Sequence, residues 1–207
     1  MENTNEPDVL TESQNSYIDI ITILQNINWQ RFHNLCLSIG KDLNSPQWRF
    51  LKAIFLENAI ASYSNGMLTY VGDTERGCDF IVKDFNVKIE MKYVEGCLFG
   101  GKKIKLKKQT TEIKLMNSNG TNTHLNLPDT YSDYLLMVDL YGAALISKEE
   151  LTPHLIIGGD GIKVKIPTEK LHIIFEPSNI LPIIKKDDLQ IRNKILDTID
   201  KIINNID

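Results

Sequence analysis

Cysteine is scarce in this chain: Cys36, Cys78 and Cys97 are odd in number and lack C-x-x-C spacing. Neither a disulfide framework nor a zinc site is indicated. Histidine is as sparse, and His33, His124, His154 and His172 are scattered, so each reads as structural or exposed rather than catalytic. No apolar run approaches the roughly 18 residues that a membrane-spanning helix requires. The N-terminal stretch MENTNEPDVLTESQNS is acidic and polar, without the charged-then-apolar plan of a signal peptide. The expected location is therefore intracellular, in the cytoplasm, with no membrane association. Internal repeats are also missing. The turn Gly158-Gly159-Asp160-Gly161 lacks the lysine and following helix of a phosphate-binding loop. Excess positive charge is missing too, the net charge being −4.

What is present is an ordinary globular composition, 42% hydrophobic and 24% charged, in 207 residues. That length suits one domain with a sizeable core. Residues 1 to 14 read as a flexible tail, and 15 to 207 as the folded domain. Helical spacing runs through Tyr17, Ile21, Leu24 and Ile27 and again through Phe32, Leu35, Cys36 and Ile39, with a break around Asn26 to Gln30. Asn44-Ser45-Pro46 is a helix start, followed by QWRFLKAIFLENAIASY and the stop Ser64-Asn65-Gly66. Leu68 to Val71 reads as a short strand, and YLLMVDL and AALIS read as two central strands. His154 to Ile157, Ile162 to Ile166 and Leu171 to Phe175 suggest a β extension. A closing amphipathic helix, DDLQIRNKILDTIDKIINNI, packs on the core or forms a dimer contact. Helices before and after a mixed sheet give an α/β (α+β) architecture.

The chemistry concentrates in GCDFIVKDFNVKIEMKY, residues 77 to 93. CDFIV and VKIEMKY have strand composition, and KDFN between them has turn chemistry. Side chains alternate along a strand, so Glu90 and Lys92 share one face while Ile89 and Met91 take the other. With an even loop of two or four residues, pairing partners sum to 169 and Asp79 falls opposite Glu90. Directly opposed Cβ atoms are roughly 4.5–5.5 Å apart. Two carboxylates that close repel unless a cation lies between them, and Mg²⁺ favours one or two carboxylates together with water and phosphate oxygens. E-x-K alone is a weak signal, and a solvated hairpin face would explain it. The apolar positions Val87, Ile89 and Met91 mark a core strand, however, whose charged face needs a reason.

A basic run follows. Between residues 83 and 114, nine lysines stand against four acids, a local excess of +5 that leaves −9 for the rest. Such a patch beside a metal site is the footprint expected for phosphate binding. Lysines on a strand edge can also guard against aggregation. The segment TEIKLMNSNGTNTHLNLPDT reads as polar and turn-forming at Asn119-Gly120, with side-chain types that read base edges or bond phosphates. A loop connecting strands would have the same composition.

Gly77, Cys78, Asp79 and the triplet Glu90-Met91-Lys92 resemble the signature of the PD-(D/E)xK nuclease superfamily, and the chain looks like a small type II restriction endonuclease. The likeness covers about residues 50 to 147, and Cys78 stands where the name-giving proline would be. It implies a restriction-endonuclease-like core at about 45–147, with a C-terminal β extension and helix over 148–207. It also implies an endodeoxyribonuclease of a prokaryotic restriction–modification system, hydrolysing phosphodiester bonds in double-stranded DNA with Mg²⁺. Asp79, Glu90 and Lys92 would be catalytic. Asp79, Glu90 and the backbone carbonyl of Met91 would bind the metal, with Glu57 the candidate acid from a preceding helix. Lys102, Lys103, Lys105, Lys107, Lys108, Gln109, Asn117 and Asn119 would contact DNA, and a palindromic target would call for a homodimer. The alternatives are another nuclease of the superfamily, acting in repair or junction resolution, and a non-catalytic DNA-binding protein.

Overall fold

Three amphipathic helices form because apolar residues recur every three to four positions. The computed structural model describes residues 12–39, 52–72, 78–93, 99–100, 103–106, 110–117, 131–139, 142–158, 161–176 and 190. α1 (Glu12–Gln25) buries Ile20, Ile21 and Leu24; α2 (Trp29–Ile39) buries Trp29, Phe32, Leu35 and Cys36; and α3 (Lys52–Tyr63) buries Phe55, Leu56, Ala59, Ile60 and Tyr63. The break between the first two is short and tied down. Asn28 accepts the N–H of Arg31 on its side chain, capping α2, while its own N–H donates to Tyr63 O at the end of α3. Asn65 and Gly66 then end α3 in left-handed conformations, with φ of 54° and 79°. α1 starts at Glu12, inside the stretch expected as a tail. T-E-S-Q from Thr11 has the spacing of a capping box, a start signal that the polar composition hid.

The helices lie on one face of a six-stranded mixed sheet. Its strands are β1 (Leu68–Tyr70), β2 (Phe80–Val82), β3 (Val87–Tyr93), β7 (Tyr134–Asp139), β8 (Gly142–Ser147) and β11 (His172–Phe175), ordered β1-β2-β3-β7-β8-β11. β3 and β7 run parallel and every other neighbouring pair antiparallel. The fold is therefore mixed α/β, as expected. A parallel pair at the centre has both faces covered, and β7 and β8 accordingly read as continuous apolar runs. Leu136, Val138, Ala143 and Leu145 face the helices with Ile89 and Met91. Leu135, Met137, Ala144 and Ile146 belong to a second core on the opposite face.

That second core is closed by another sheet. β6 (Thr110–Asn117), β10 (Gly161–Pro167) and β9 (Leu155–Gly158) form an antiparallel three-stranded sheet that contributes Leu115, Ile162, Val164 and Ile166. The short helix α4 (Lys148–Leu151), capped by Ser147, adds Leu151. β4 (Phe99–Gly100) and β5 (Lys103–Leu106) make a separate two-stranded ribbon.

Two sequence expectations change here. The first part of the segment read as a polar loop is the eight-residue strand β6, because Leu115 is needed in the second core and the backbone pairs along β10 from Asn117↔Gly161 to Thr110↔Pro167. Leu171 to Phe175 is not part of the β extension. β11 joins β8 at the edge of the central sheet, where Phe175 stacks on Trp29. The helix start at Asn44-Ser45-Pro46 lies outside the described residues, as does the closing helix apart from Gln190, which is helical and exposed. Among those described, no helix is long and apolar enough to cross a membrane.

Candidate active site

The hairpin that carries the acids folds in the register that its sequence implies. Phe80 pairs with Ile89, Ile81 with Lys88 and Val82 with Val87, each summing to 169 around the four-residue loop 83–86. Asp84 and Asn86 take φ of 69° and 52° in that loop, which suits residue types that tolerate the left-handed region. Asp79 lies one residue before the ladder. Its N–H donates to Ile89 O at 2.9 Å, and its carboxylate accepts the N–H of Met91 at 2.6 Å. The side chain thus continues, in place of a backbone carbonyl, the pairing that the strand has just left.

Glu90 and Lys92 project from β3 on the face of the second core. Parallel pairing sets Glu90 beside Leu135 and Lys92 beside Met137, both members of that core. Glu90 is 6% exposed, and its Oε1 is ion-paired with Lys92 Nζ. A buried carboxylate is costly unless paired, and here its partner is the lysine two residues on.

Glu57, on α3, lies within electrostatic reach of them. It is 7% exposed, and the Tyr70 hydroxyl donates a hydrogen bond to its carboxyl. Burial pushes the Glu57 carboxyl up to about 8. The negative charges of Asp79 and Glu90 add to the shift, while Tyr70 and the positive charge of Lys92 oppose it. Asp79 is raised to about 6, first by burial and then by the charge of Glu90, against the Met91 N–H and Lys92. Three carboxyl groups and one ammonium therefore share a common field. Removing the carboxyl groups from water while they repel one another is unfavourable, and bound positive charge would relieve it.

No family model matches the chain, and no curated protein matches it. The site rests on its own geometry.

Among the described residues, no three His, Cys, Asp or Glu side chains are gathered into a ready-made metal-ligand group. Mg²⁺ does not need one, because it retains waters and typically takes one or two carboxylates alongside phosphate oxygens. Asp79 and Glu90 offer hard oxygen donors in a buried place short of positive charge, so the residues present fit such an ion. Met91 reaches the site through its N–H to Asp79, and its side chain faces the helices.

Five of the eight expected DNA contacts, Lys102, Lys107, Lys108, Gln109 and Asn119, are not among the described residues. The backbone of Lys103 and Lys105 is in β5, and Asn117 ends β6 opposite Gly161.

Two tyrosines went unread in the sequence. Tyr70 holds Glu57, and its ring is so close to Gly72 that a Cβ there would lie 2.8 Å from it. The hydroxyl of Tyr131 is under the charges of Glu90 and Asp79, and with burial as the largest cause these hold it protonated far above the usual phenol range. No spacing rule links either to the hairpin; only the strand order β1-β2-β3-β7 brings their segments beside it.

Proposed function

We propose that the chain is a Mg²⁺-dependent endodeoxyribonuclease of the type II restriction kind, hydrolysing phosphodiester bonds of double-stranded DNA at a fixed sequence. One observation carries the reading: Glu57, Asp79, Glu90 and Lys92, from a helix and a hairpin, lie within electrostatic reach of one another, with the Glu57 and Asp79 carboxyl groups displaced upward by burial and then by neighbouring negative charge. Perturbed acids gathered in one place are a mark of functional sites. The restriction-endonuclease-like core is part of the same proposal, supported by the parallel pairing of the acid-lysine strand with a buried neighbour in a mixed sheet.

Asp79 and Glu90 would hold the metal, with Glu57 as the third acid. Bound Mg²⁺ would supply Lewis acidity at the scissile phosphate and lower the pKa of a coordinated water. Lys92 Nζ, paired with Glu90 in this structure, would turn to the attacking water and offset charge developing on the phosphate. Asp79 keeps Met91 in place through its N–H, so the strand positions of Glu90 and Lys92 stay fixed. No covalent intermediate with the protein is needed. Lysines 102 to 108 would track the DNA backbone, and Gln109, Asn117 and Asn119 would read bases. A palindromic target would be cut by a two-fold homodimer, which places one site on each strand. The chain would act in the cytoplasm of a prokaryote.

Digestion of a long sequenced duplex tests this reading. Discrete fragments that require Mg²⁺ support it, a smear would favour a repair or non-specific nuclease, and DNA binding without cleavage would favour a non-catalytic protein.

A further inference from the structure

Tyr131 has a packing environment that its hydroxyl does not suit. The residue is 4% exposed and sits in the second core among Leu135, Met137 and Ile146. Among the described residues, its hydroxyl has no hydrogen-bond partner. A buried polar group left unpaired is destabilising, and a phenylalanine would fill the same volume without that cost. The ring is therefore explained by packing and the hydroxyl is not.

The backbone around Tyr131 is held firmly. Its carbonyl accepts from Lys148 Nζ at 3.3 Å. Two residues on, Asp133 N–H donates to Lys88 O at 2.9 Å, and Lys88 N–H donates to the Asp133 carboxylate at 2.8 Å. These bonds fix the segment against the start of β3, two residues before Glu90. Leu135 and Met137, packed with Tyr131 on that sheet face, are the register partners of Glu90 and Lys92. Ring and carboxylate thus share one side of the sheet.

We propose that Tyr131 is a positioning residue for Glu90, its hydroxyl donating to the Glu90 carboxylate when that group has turned from Lys92 to a divalent cation. The proposal rests on the metal-dependent reading above. Glu90 Oε1 is paired with Lys92 in this structure, and among the described residues the phenol has no partner. Rotation of Glu90 onto a cation would carry its second oxygen, which Lys92 does not hold, toward Tyr131. Burial, with the charges of Glu90 and Asp79 added to it, keeps the phenol protonated, so it remains a donor. Carboxylates that hold metals are themselves hydrogen-bonded, and loss of such a partner typically weakens metal affinity by about 10–100-fold.

The test is calorimetric titration of Mg²⁺ into the full chain without DNA, for the wild type, Tyr131→Phe and Tyr131→Leu, with a Tm for each. Tyr131→Phe keeps the ring, so its Tm should equal or exceed that of the wild type while its Mg²⁺ affinity falls about tenfold. Tyr131→Leu should lose Tm but weaken Mg²⁺ binding no further than Tyr131→Phe. Wild-type affinity in Tyr131→Phe, or a much larger loss in Tyr131→Leu, overturns the positioning role alone. A wild-type chain that takes up no Mg²⁺ overturns the metal-dependent reading itself, and the proposal with it.

Discussion

The carboxylate of Asp79 accepts the backbone N–H of Met91 at 2.6 Å. One acid thereby anchors the segment that carries the other acid and the lysine, since Met91 lies between Glu90 and Lys92. Asp79 has a structural use that needs no metal, and substitutions at this position must separate the two roles.

Asp79→Asn keeps an acceptor for Met91 and removes a buried negative charge. Without metal at pH 8 its Tm should match or exceed the wild type. Asp79→Ala loses the acceptor as well, and should cost about 1–3 kcal/mol relative to Asp79→Asn. Both should lose Mg²⁺-dependent cleavage. If Asp79→Asn cleaves at the wild-type rate, the acid is structural only.

Lys92→Ala should bind DNA as before and cleave slower by about 10²–10⁴-fold, the range for loss of a positioned proton-transfer group. It also strips Glu90 of its ion-pair partner, so Tm should fall. The double variant Lys92→Ala/Glu90→Gln should regain stability without regaining activity, because the uncompensated charge is gone but the chemistry is not restored. Gel-shift, melting and single-turnover measurements on the same preparations check all three statements.

Stability should depend on pH in a stated direction. Glu57 rises from its ordinary 4.5 to about 8, and Asp79 from 3.8 to about 6. Between those limits the native state holds protons that the unfolded chain has already released, so stability falls as pH rises. The Tm of the metal-free protein should therefore drop between pH 4 and pH 8. Glu57→Gln should remove most of the drop above pH 6, and millimolar Mg²⁺ should flatten the whole curve. A metal-free Tm that rises over this range contradicts the arrangement of acids.

The hairpin loop sets the register, and Asn86 sits at φ 52°. Asn86→Val should cost about 1–2 kcal/mol, the penalty for a side chain ill-suited to left-handed backbone, while Asn86→Gly should be tolerated. A loop that relaxed by one residue would turn Glu90 and Lys92 to the opposite face. Asn86→Val should therefore lose activity more than its melting curve alone suggests.

Much of the hairpin could be read from the chain because its information is local. Alternation of Val87, Ile89 and Met91, with turn residues at a fixed offset, sets both the face and the pairing sum, and the structure has that sum at all three pairs. Glu57 is a candidate only through the resemblance, which implies an acid on a helix preceding the hairpin, and its burial and its bond to Tyr70 follow only from packing. β6 is masked by its polar residues, since one edge of a small sheet needs few apolar positions, and the short alternation of Ile113 and Leu115 is the signal it leaves. β11 was misassigned because adjacency in sequence does not reveal which sheet edge is vacant. Tyr131 carries no local signal at all: it lies forty-one residues from Glu90, and β7 must pair parallel to β3 before the two share a face.

The most direct measurement is digestion of a long, fully sequenced duplex DNA with and without Mg²⁺, with Lys92→Ala in parallel. The account predicts discrete fragments that appear only with the metal and an intact Lys92, with ends that map to one recurring sequence. Fragments formed equally by Lys92→Ala, or formed in the absence of any divalent cation, would contradict it.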